Sequence, residues 1–172
     1  MRQRSIILAL LLCFFILITG CQQQEQAASS KQNRQQVKIE RVVDGDTLEI
    51  QLNGKKEKVR LIGIDTPETK KPNTPVMFYG EEASSYTKKR LDKKTVELEW
   101  DVDRKDQYDR LLAYVWIEDE LFNRTLVSEG YARIATFPPN VKYVDLFKKA
   151  QEEARQKQKG LWQNYEAAFE KR

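Results

Sequence analysis

Acidic and arginine side chains are concentrated in three short segments of the 172-residue sequence. The segments are 43–47, which reads VDGDT, 59–69, which reads VRLIGIDTPET, and 106–110, which reads DQYDR. Carboxylates are ligands that Ca²⁺ and Mg²⁺ prefer, and a guanidinium can grip a phosphate with two parallel hydrogen bonds. These groups suit phosphodiester hydrolysis, in which a metal polarises the phosphoryl oxygen, a carboxylate takes a proton from water and an arginine neutralises the developing charge.

Five side chains in these segments are candidates for that chemistry, although each also has a plainer interpretation. An Asp-Gly pair between two strands is usually only a turn, and the segment 106–110 could be a solvated, charged loop. The candidates are Asp46, Asp65 and Glu68 as metal ligands or bases, and Arg60 and Arg110 as phosphate contacts.

The second segment can serve one site only if its strand is interrupted. Side chains alternate between the two faces of a strand, so Arg60 and Asp65 would lie on opposite faces of a regular one. We therefore expect the strand to bend or end by Ile64, and Pro67 favours this because proline restricts the residue before it and stiffens the chain.

The composition excludes several other mechanisms. The chain has no His and only 2 Cys, which rules out a His-based triad, an HExxH zinc site and a structural zinc site of four protein nitrogen and sulfur ligands. Its formal net charge of +4 is too small to indicate a partner by itself. Catalysis by this chain would depend on carboxylates, Arg, Lys, Tyr, hydroxyls or a hard metal ion.

The first twenty residues have the pattern of a secretion signal. Arg2 and Arg4 precede an apolar run at 6–18, which is short for a membrane span and typical of a signal core. The following Thr19-Gly20-Cys21 resembles the bacterial lipobox, and this predicts cleavage before Cys21 and its lipidation. Ordinary secretion and an uncleaved anchor are the alternatives. We expect an extracytoplasmic protein anchored to the cell membrane by lipid, or released to the cell wall or medium.

The composition changes again after the predicted signal. Residues 21–36 are rich in Gln and have no large apolar side chain, which predicts a flexible tether. We expect the folded domain to comprise 37–165 and a C-terminal tail to follow at 166–172.

Turn signals and hydrophobic periodicity predict an α+β domain. Asp44-Gly45 and Asn53-Gly54 are typical of tight hairpin turns, and 70–78, with two Pro, is typical of a mobile loop. Five short strands with helices inserted and appended favour an OB-fold, a five-stranded β-barrel, with three packed helices. The strands are predicted at 37–43, 47–52, 58–64, 95–102 and 111–116, and the helices at 80–91, 122–129 and 141–159.

With these elements in place, the motifs resemble the staphylococcal nuclease (thermonuclease) family from about Val37 to Trp162. The matching residues include Asp44-Gly45-Asp46-Thr47, Arg60-Leu61, Asp65-Thr66-Pro67-Glu68-Thr69, Tyr79-Gly80, Asp106, Tyr108, Arg110-Leu111-Leu112-Ala113-Tyr114, Gly130 and Leu161-Trp162. The resemblance implies an OB-fold barrel with three helices and a Ca²⁺-dependent nuclease. Such an enzyme acts on DNA and RNA, cleaves the bond to the 5′ oxygen and leaves 3′-phosphates.

The resemblance also assigns a role to each site residue. It implies that Glu68 is the general base and that Arg60 and Arg110 hold the scissile phosphate. Further implied positions are Asp46 and Asp65 as Ca²⁺ ligands through their carboxylates, Thr66 as a ligand through its backbone carbonyl, Tyr108 as a contact to a neighbouring phosphate, and Asp44 as an acid behind the ligands. We expect this enzyme to act as a monomer.

Two positions depart from the family pattern. Gln107 replaces a common Lys, and Thr136-Phe137-Pro138 lies where two Tyr often flank the bound base. We expect Phe137 to stack on a base instead.

Two other functions remain open from the sequence. One is a barrel that binds nucleic acid without cleaving it, although the acids and arginines of the family motif are all present. The other is a lipid-anchored surface or structural protein, which would leave the match in 65–68 and Arg110 as coincidence.

Overall fold

The computed structural model describes residues 33–69 and 76–169. The predicted signal, the lipidation site Cys21, most of the tether and most of the predicted 70–78 loop lie outside the described residues. Contacts divide the chain into Met1–Arg34 and Gln35–Arg172, and the barrel and helices belong to the second unit. None of the helices in the described part of the chain has the length and apolar character that crossing a membrane requires.

Five strands form a closed barrel, as the sequence predicted. The strands in the described part of the chain are β1 (Arg34–Val42), β2 (Thr47–Leu52), β3 (Lys55–Leu61), β4 (Ile64–Asp65), β5 (Thr95–Glu99), β6 (Leu111–Ile117), β7 (Glu120–Leu121) and β8 (Arg133–Ile134). The larger sheet has the order β3-β2-β1-β5-β6-β7, and β6 also pairs in parallel with β3, which closes the barrel and makes its direction mixed. A second, two-stranded sheet joins β4 to β8.

The helices pack around this barrel and are joined to it by buried polar groups as well as by the apolar core. They are α1 (Gly80–Leu91), α2 (Phe122–Ser128), α3 (Val144–Gln156), a 3₁₀ turn (Gly160–Gln163) and α4 (Tyr165–Phe169). The fully buried Glu99 of β5 accepts hydrogen bonds from Trp116, Lys142 and Tyr143. These bonds join the chain entering α3 to the barrel wall.

Several boundaries differ from the sequence prediction for physical reasons. Strand β1 begins three residues inside the predicted tether, at Arg34. Asp44-Gly45 is not a two-residue turn, because Val43 to Asp46 form a longer loop in which the Val43 N–H donates to the Thr47 carbonyl at 2.9 Å. At the other end of the chain, α4 occupies part of the predicted tail, and its Ala168 and Phe169 are buried.

The strand that carries Arg60 ends at Leu61, three residues earlier than predicted. Gly63 follows with φ of +79°, a conformation that costs glycine little. Asn123 holds this turn, since its side-chain N–H donates to the Ile62 carbonyl at 2.9 Å while its oxygen accepts from Val115. The interruption redirects the chain into β4, so that Arg60 and Asp65 face one site.

We predict that Gly63→Ala destabilises the protein by about 2–4 kcal/mol. The substitution combines a left-handed backbone with overpacking, because a Cβ at Gly63 would lie 2.7 Å from the ring of the buried Phe147. Gly54→Ala is the matched control, since Gly54 has φ of +78° with nothing within 4 Å of an added Cβ, and should cost only about 1 kcal/mol. Urea unfolding measures both, and equal losses would contradict the packing role of Gly63.

Candidate active site

The Asp46 carboxylate links the loop after β1 to the segment after β4. The residue is 6% exposed. Its Oδ2 accepts hydrogen bonds from the backbone N–H and hydroxyl of Thr66, at 2.9 and 3.0 Å, while its Oδ1 accepts from the Thr47 hydroxyl at 3.1 Å. A buried carboxylate is costly without such partners. Gly45 permits this approach, because a Cβ there would lie 2.7 Å from Thr66 Oγ1.

Arg60 lies between the two acids predicted to bind metal. Its Nη2 is 3.1 Å from Asp46 Oδ2 and 3.2 Å from Asp65 Oδ1. Its Nη1 donates to the backbone carbonyls of Leu61 and Ile64, both at 2.8 Å, so the turn between β3 and β4 fixes the guanidinium. The two acids therefore converge on a single positive charge.

Arg110 is oriented by Asp106, an acid that the sequence analysis did not place in the site. The Arg110 Nε and Nη2 each lie 2.7 Å from Asp106 Oδ2, and the backbone N–H groups of Tyr108 and Arg110 donate to Oδ1. Burial alone would raise the pKa of Asp106, but the hydrogen bonds from Arg110 and Tyr108 lower it below its ordinary value. The only sequence signal for this pair is that Asp106 precedes Arg110 by four residues.

Glu68 follows the metal-ligand segment and is held by local contacts. Its Oε1 accepts from the Thr69 N–H at 2.9 Å. The Met77 N–H donates to the Glu68 carbonyl, and the Glu68 N–H donates to the Met77 sulfur. The buried Met77, later in the sequence than residues 70–75, therefore fixes the backbone at Glu68.

The predicted site residues line two adjoining clefts. The first has a volume of about 300 Å³ and the second about 390 Å³. Four side chains, Arg60, Asp65, Tyr108 and Arg110, line both clefts. The first cleft also contains Asp44, Asp46, Thr66 and Glu68, and the second contains Phe137. All nine site residues predicted within the domain are thus brought together.

Two aromatic rings stand at the open side of the clefts. Tyr108 is 71% exposed, and its ring lies 5.4 Å from the Arg110 guanidinium carbon. Phe137 is 75% exposed and forms a backbone bridge with Asn140. Flat, exposed rings beside clefts that Arg60 and Arg110 line are suited to contact an extended anionic ligand.

The acids give the first cleft an unbalanced negative charge. Burial, together with the charge of Asp46, raises the pKa of Asp44 to about 6 from an ordinary 3.8. The Asp44 carboxylate accepts from the Asp46 N–H at 3.1 Å, and this bond and the charge of Arg60 offset the rise in its pKa only in part. An additional cation would relieve this repulsion.

The donor set suits a hard cation. Within residues 33–69 and 76–169, no three His, Cys, Asp or Glu side chains form a ready-made metal cluster. The site offers instead two converging carboxylates, those of Asp46 and Asp65, next to the backbone of Thr66. Ca²⁺ accepts carboxylate, carbonyl and water oxygens together, so these residues fit Ca²⁺ with water completing its ligands.

Arg133 is a further arginine at this site that the sequence analysis missed. In the β4–β8 ladder it lies opposite Asp65, and its Nε and Nη2 are 3.2 and 3.0 Å from Asp65 Oδ2. A two-residue ladder between positions 68 residues apart leaves no periodic signal in the sequence. Asp65 is therefore held by one arginine at each oxygen.

Comparison with known proteins shows a family match and several similar nucleases. Residues 58–164 match the family described as staphylococcal nuclease homologue. The chain is 54% identical over 125 residues to a thermonuclease of Staphylococcus intermedius, covering 73% of this chain and 74% of the relative. It is 48% identical over 132 residues to a thermonuclease of Staphylococcus hyicus, covering 77% and 78%. It is also 44% identical over 128 residues to the endonuclease YncB of Bacillus subtilis, covering 73% and 61%.

We predict that Asp44→Asn stabilises the metal-free protein at pH 8 but not at pH 4. Because the pKa of Asp44 is raised in the folded state, its contribution to stability is present below about pH 4 and is lost as the pH rises through about 6. The Asn side chain removes that charge and retains the oxygen that accepts from Asp46. In chelator, we expect the melting temperature to rise by about 3 °C at pH 8. A gain that is absent at pH 8, or larger at pH 4, would contradict the assignment.

Proposed function

The chain belongs to the staphylococcal nuclease homologue family and is a hydrolase that cleaves nucleic acids, and from this we propose that it is a Ca²⁺-dependent nuclease. The proposed enzyme acts on both DNA and RNA, breaks the bond to the 5′ oxygen and leaves 3′-phosphate ends. One observation carries the proposal: Arg60, Arg110 and the Asp65 carboxylate line both the negatively charged first cleft and the second cleft, which Tyr108 and Phe137 also line.

Glu68 is the proposed general base. It lines the first cleft with its carboxylate fixed against the Thr69 N–H. The carboxylate takes a proton from the attacking water as the water oxygen bonds to phosphorus, and the departing 5′ oxygen takes up a proton as its bond breaks. The 3′ oxygen keeps the phosphate.

Arg110 and Arg60 are the proposed phosphate contacts. Asp106 orients Arg110 for this role. It holds the Nε and Nη2 of the guanidinium, while Arg110 lines the first cleft. Developing charge on the phosphoryl oxygens is stabilised most by donors that are already oriented.

Arg60 adds a reason for the enzyme to need a cation. Its Nη2 contacts the acids at 46 and 65, and it is available to a phosphate only when those acids are neutralised in another way. Bound between Asp46, Asp65 and the Thr66 carbonyl, Ca²⁺ would supply that neutralisation and polarise a phosphoryl oxygen.

Tyr108 and Phe137 are the proposed contacts to the rest of the nucleotide. The Tyr108 hydroxyl is a donor for a neighbouring phosphate, and the exposed Phe137 ring is a platform for a base. Gln107 also lines the second cleft, where its neutral amide gives a weaker phosphate contact than lysine would. We further propose that the enzyme acts as a monomer, since the residues of one chain line both clefts.

A cleavage assay on circular DNA tests this function. We expect nicking and linearisation with Ca²⁺, complete loss in excess EGTA, and recovery when Ca²⁺ is restored, with Zn²⁺ a poor substitute because the site lacks nitrogen and sulfur ligands. Cleavage of single-stranded RNA and the 3′-phosphate ends are scored in the same samples. Full activity in EGTA would refute the proposed mechanism.

In the same assay, Arg110→Lys should lower kcat about a hundredfold, because lysine keeps the charge but not the planar fork. Arg124→Lys is the matched control, since Arg124 is exposed on α2 and this variant should keep the wild-type rate within about twofold.

Glu68→Gln should lower kcat by about two to four orders of magnitude with folding intact. If Arg110→Lys and Glu68→Gln both turn over at the wild-type rate, these residues have no catalytic role.

We also propose that the protein is extracytoplasmic and held at the membrane by a lipid on Cys21. The support is the sequence alone: an apolar run at 6–18 that ends in Thr19-Gly20-Cys21, followed by a Gln-rich segment. Cys21→Ala should shift the protein from a detergent-extractable membrane fraction to uncleaved precursor or to the medium. Unchanged fractionation, with no acyl label on the wild type, would exclude lipidation.

A further inference from the structure

The short helix α4 contacts one side chain of the site, that of Arg133. The Tyr165 hydroxyl accepts from Arg133 Nη1 at 3.0 Å, and the ring centroid of the buried Phe169 lies 3.7 Å from the Arg133 guanidinium carbon. Trp162 stacks on Tyr165 at 4.9 Å and supports that contact from the 3₁₀ turn. The helix follows residues 58–164, the part of the chain that matches the family.

Arg133 connects α4 to Asp65. Its Nε and Nη2 are both directed at Asp65 Oδ2, while its Nη1 is directed at Tyr165. One planar guanidinium therefore spans the acid and the helix, which a lysine could not do. The side chain is 29% exposed, so without α4 it would be a long, flexible side chain at the rim of the second cleft.

We propose that α4 sets the position of the Asp65 carboxylate through Arg133, which makes Arg133 a positioning residue for the metal site. The proposal rests on the proposed role of Asp65 as a ligand. Groups that orient a metal ligand from behind commonly change metal affinity about 10–100-fold when removed. Here the orienting group is itself held by a hydroxyl and an aromatic ring at the end of the chain.

The charge of Arg133 must be separated from its positioning effect. Removing a cation next to Asp65 would favour another cation by electrostatics alone, which opposes the loss of orientation. Tyr165→Phe and Phe169→Leu leave every charge in place and alter only the support of the guanidinium. Tyr86→Phe is the matched control, because the Tyr86 hydroxyl likewise accepts from an arginine, Arg90 Nη1, at 2.8 Å.

The first measurement uses thermal unfolding of the full chain in chelator, so it does not depend on metal. Tyr165→Phe and Asp65→Asn should be non-additive, with the double variant differing from the summed single shifts by at least about 2 °C. Tyr86→Phe combined with Asp65→Asn should be additive. Additivity in the Tyr165 cycle would overturn the inference.

The second measurement is calorimetric titration with Ca²⁺. Tyr165→Phe and Phe169→Leu should each weaken Ca²⁺ binding about tenfold, while Tyr86→Phe changes it less than twofold. A merely structural helix would lower the melting temperature and leave Ca²⁺ affinity unchanged, and that result in both variants would overturn the inference. Wild-type protein that binds no Ca²⁺ would refute the proposed function, whereas the cycle in chelator would still decide the role of α4.

Discussion

The buried carboxylate of Asp46 is the constraint on which the site depends. Burying a carboxylate is costly without partners, and Thr66, Thr47 and Arg60 all contact this one. Those contacts join three separate pieces of chain: the loop after β1, the end of β3 and the segment after β4. The same contacts that offset the cost of the buried charge therefore assemble the site before any substrate or cation binds.

The closure of the barrel brings in the third segment. β6 pairs in parallel with β3, with Val59 opposite Leu111, so Arg110 enters beside the strand that carries Arg60. The turn at Gly63 and its support by Asn123 and Phe147 then redirect the chain, which places Asp65 on the same side as Arg60. A regular strand in this register would have separated the two groups.

Two arginines supply positive charge to the proposed ligand acids. Arg60 contacts both of these acids, and Arg133 holds the other oxygen of Asp65. These contacts offset the mutual repulsion of the two carboxylates. They also imply a competition, because phosphate binding by Arg60 requires another cation on the acids.

Features formed by residues close together in the sequence were predictable, whereas contacts between distant parts of the sequence were not. β2 and α1 were predicted with the observed ends, since the turn signal at Asn53-Gly54 and charges that match the helix dipole are local features. The nine site residues predicted within the domain belong to short motifs, and the structure places all of them along two adjoining clefts. The sequence analysis missed Arg133 and α4 because each is identified only by a partner elsewhere in the fold: Arg133 by Asp65 and α4 by Arg133. It also missed Asp106 as a site residue, although its partner Arg110 is only four residues away.

Calcium binding by an Asp46→Asn variant is the most direct test of this account. Calorimetric titration of the wild type should show one Ca²⁺ per chain, and Asp46→Asn should lose at least about a hundredfold in affinity because one of the two converging charges is gone. Glu49→Gln, three residues away and paired with Arg41 outside the clefts, should bind as the wild type does. Undiminished Ca²⁺ affinity in a folded Asp46→Asn variant would contradict the central claim that Asp46 and Asp65 form the cation site.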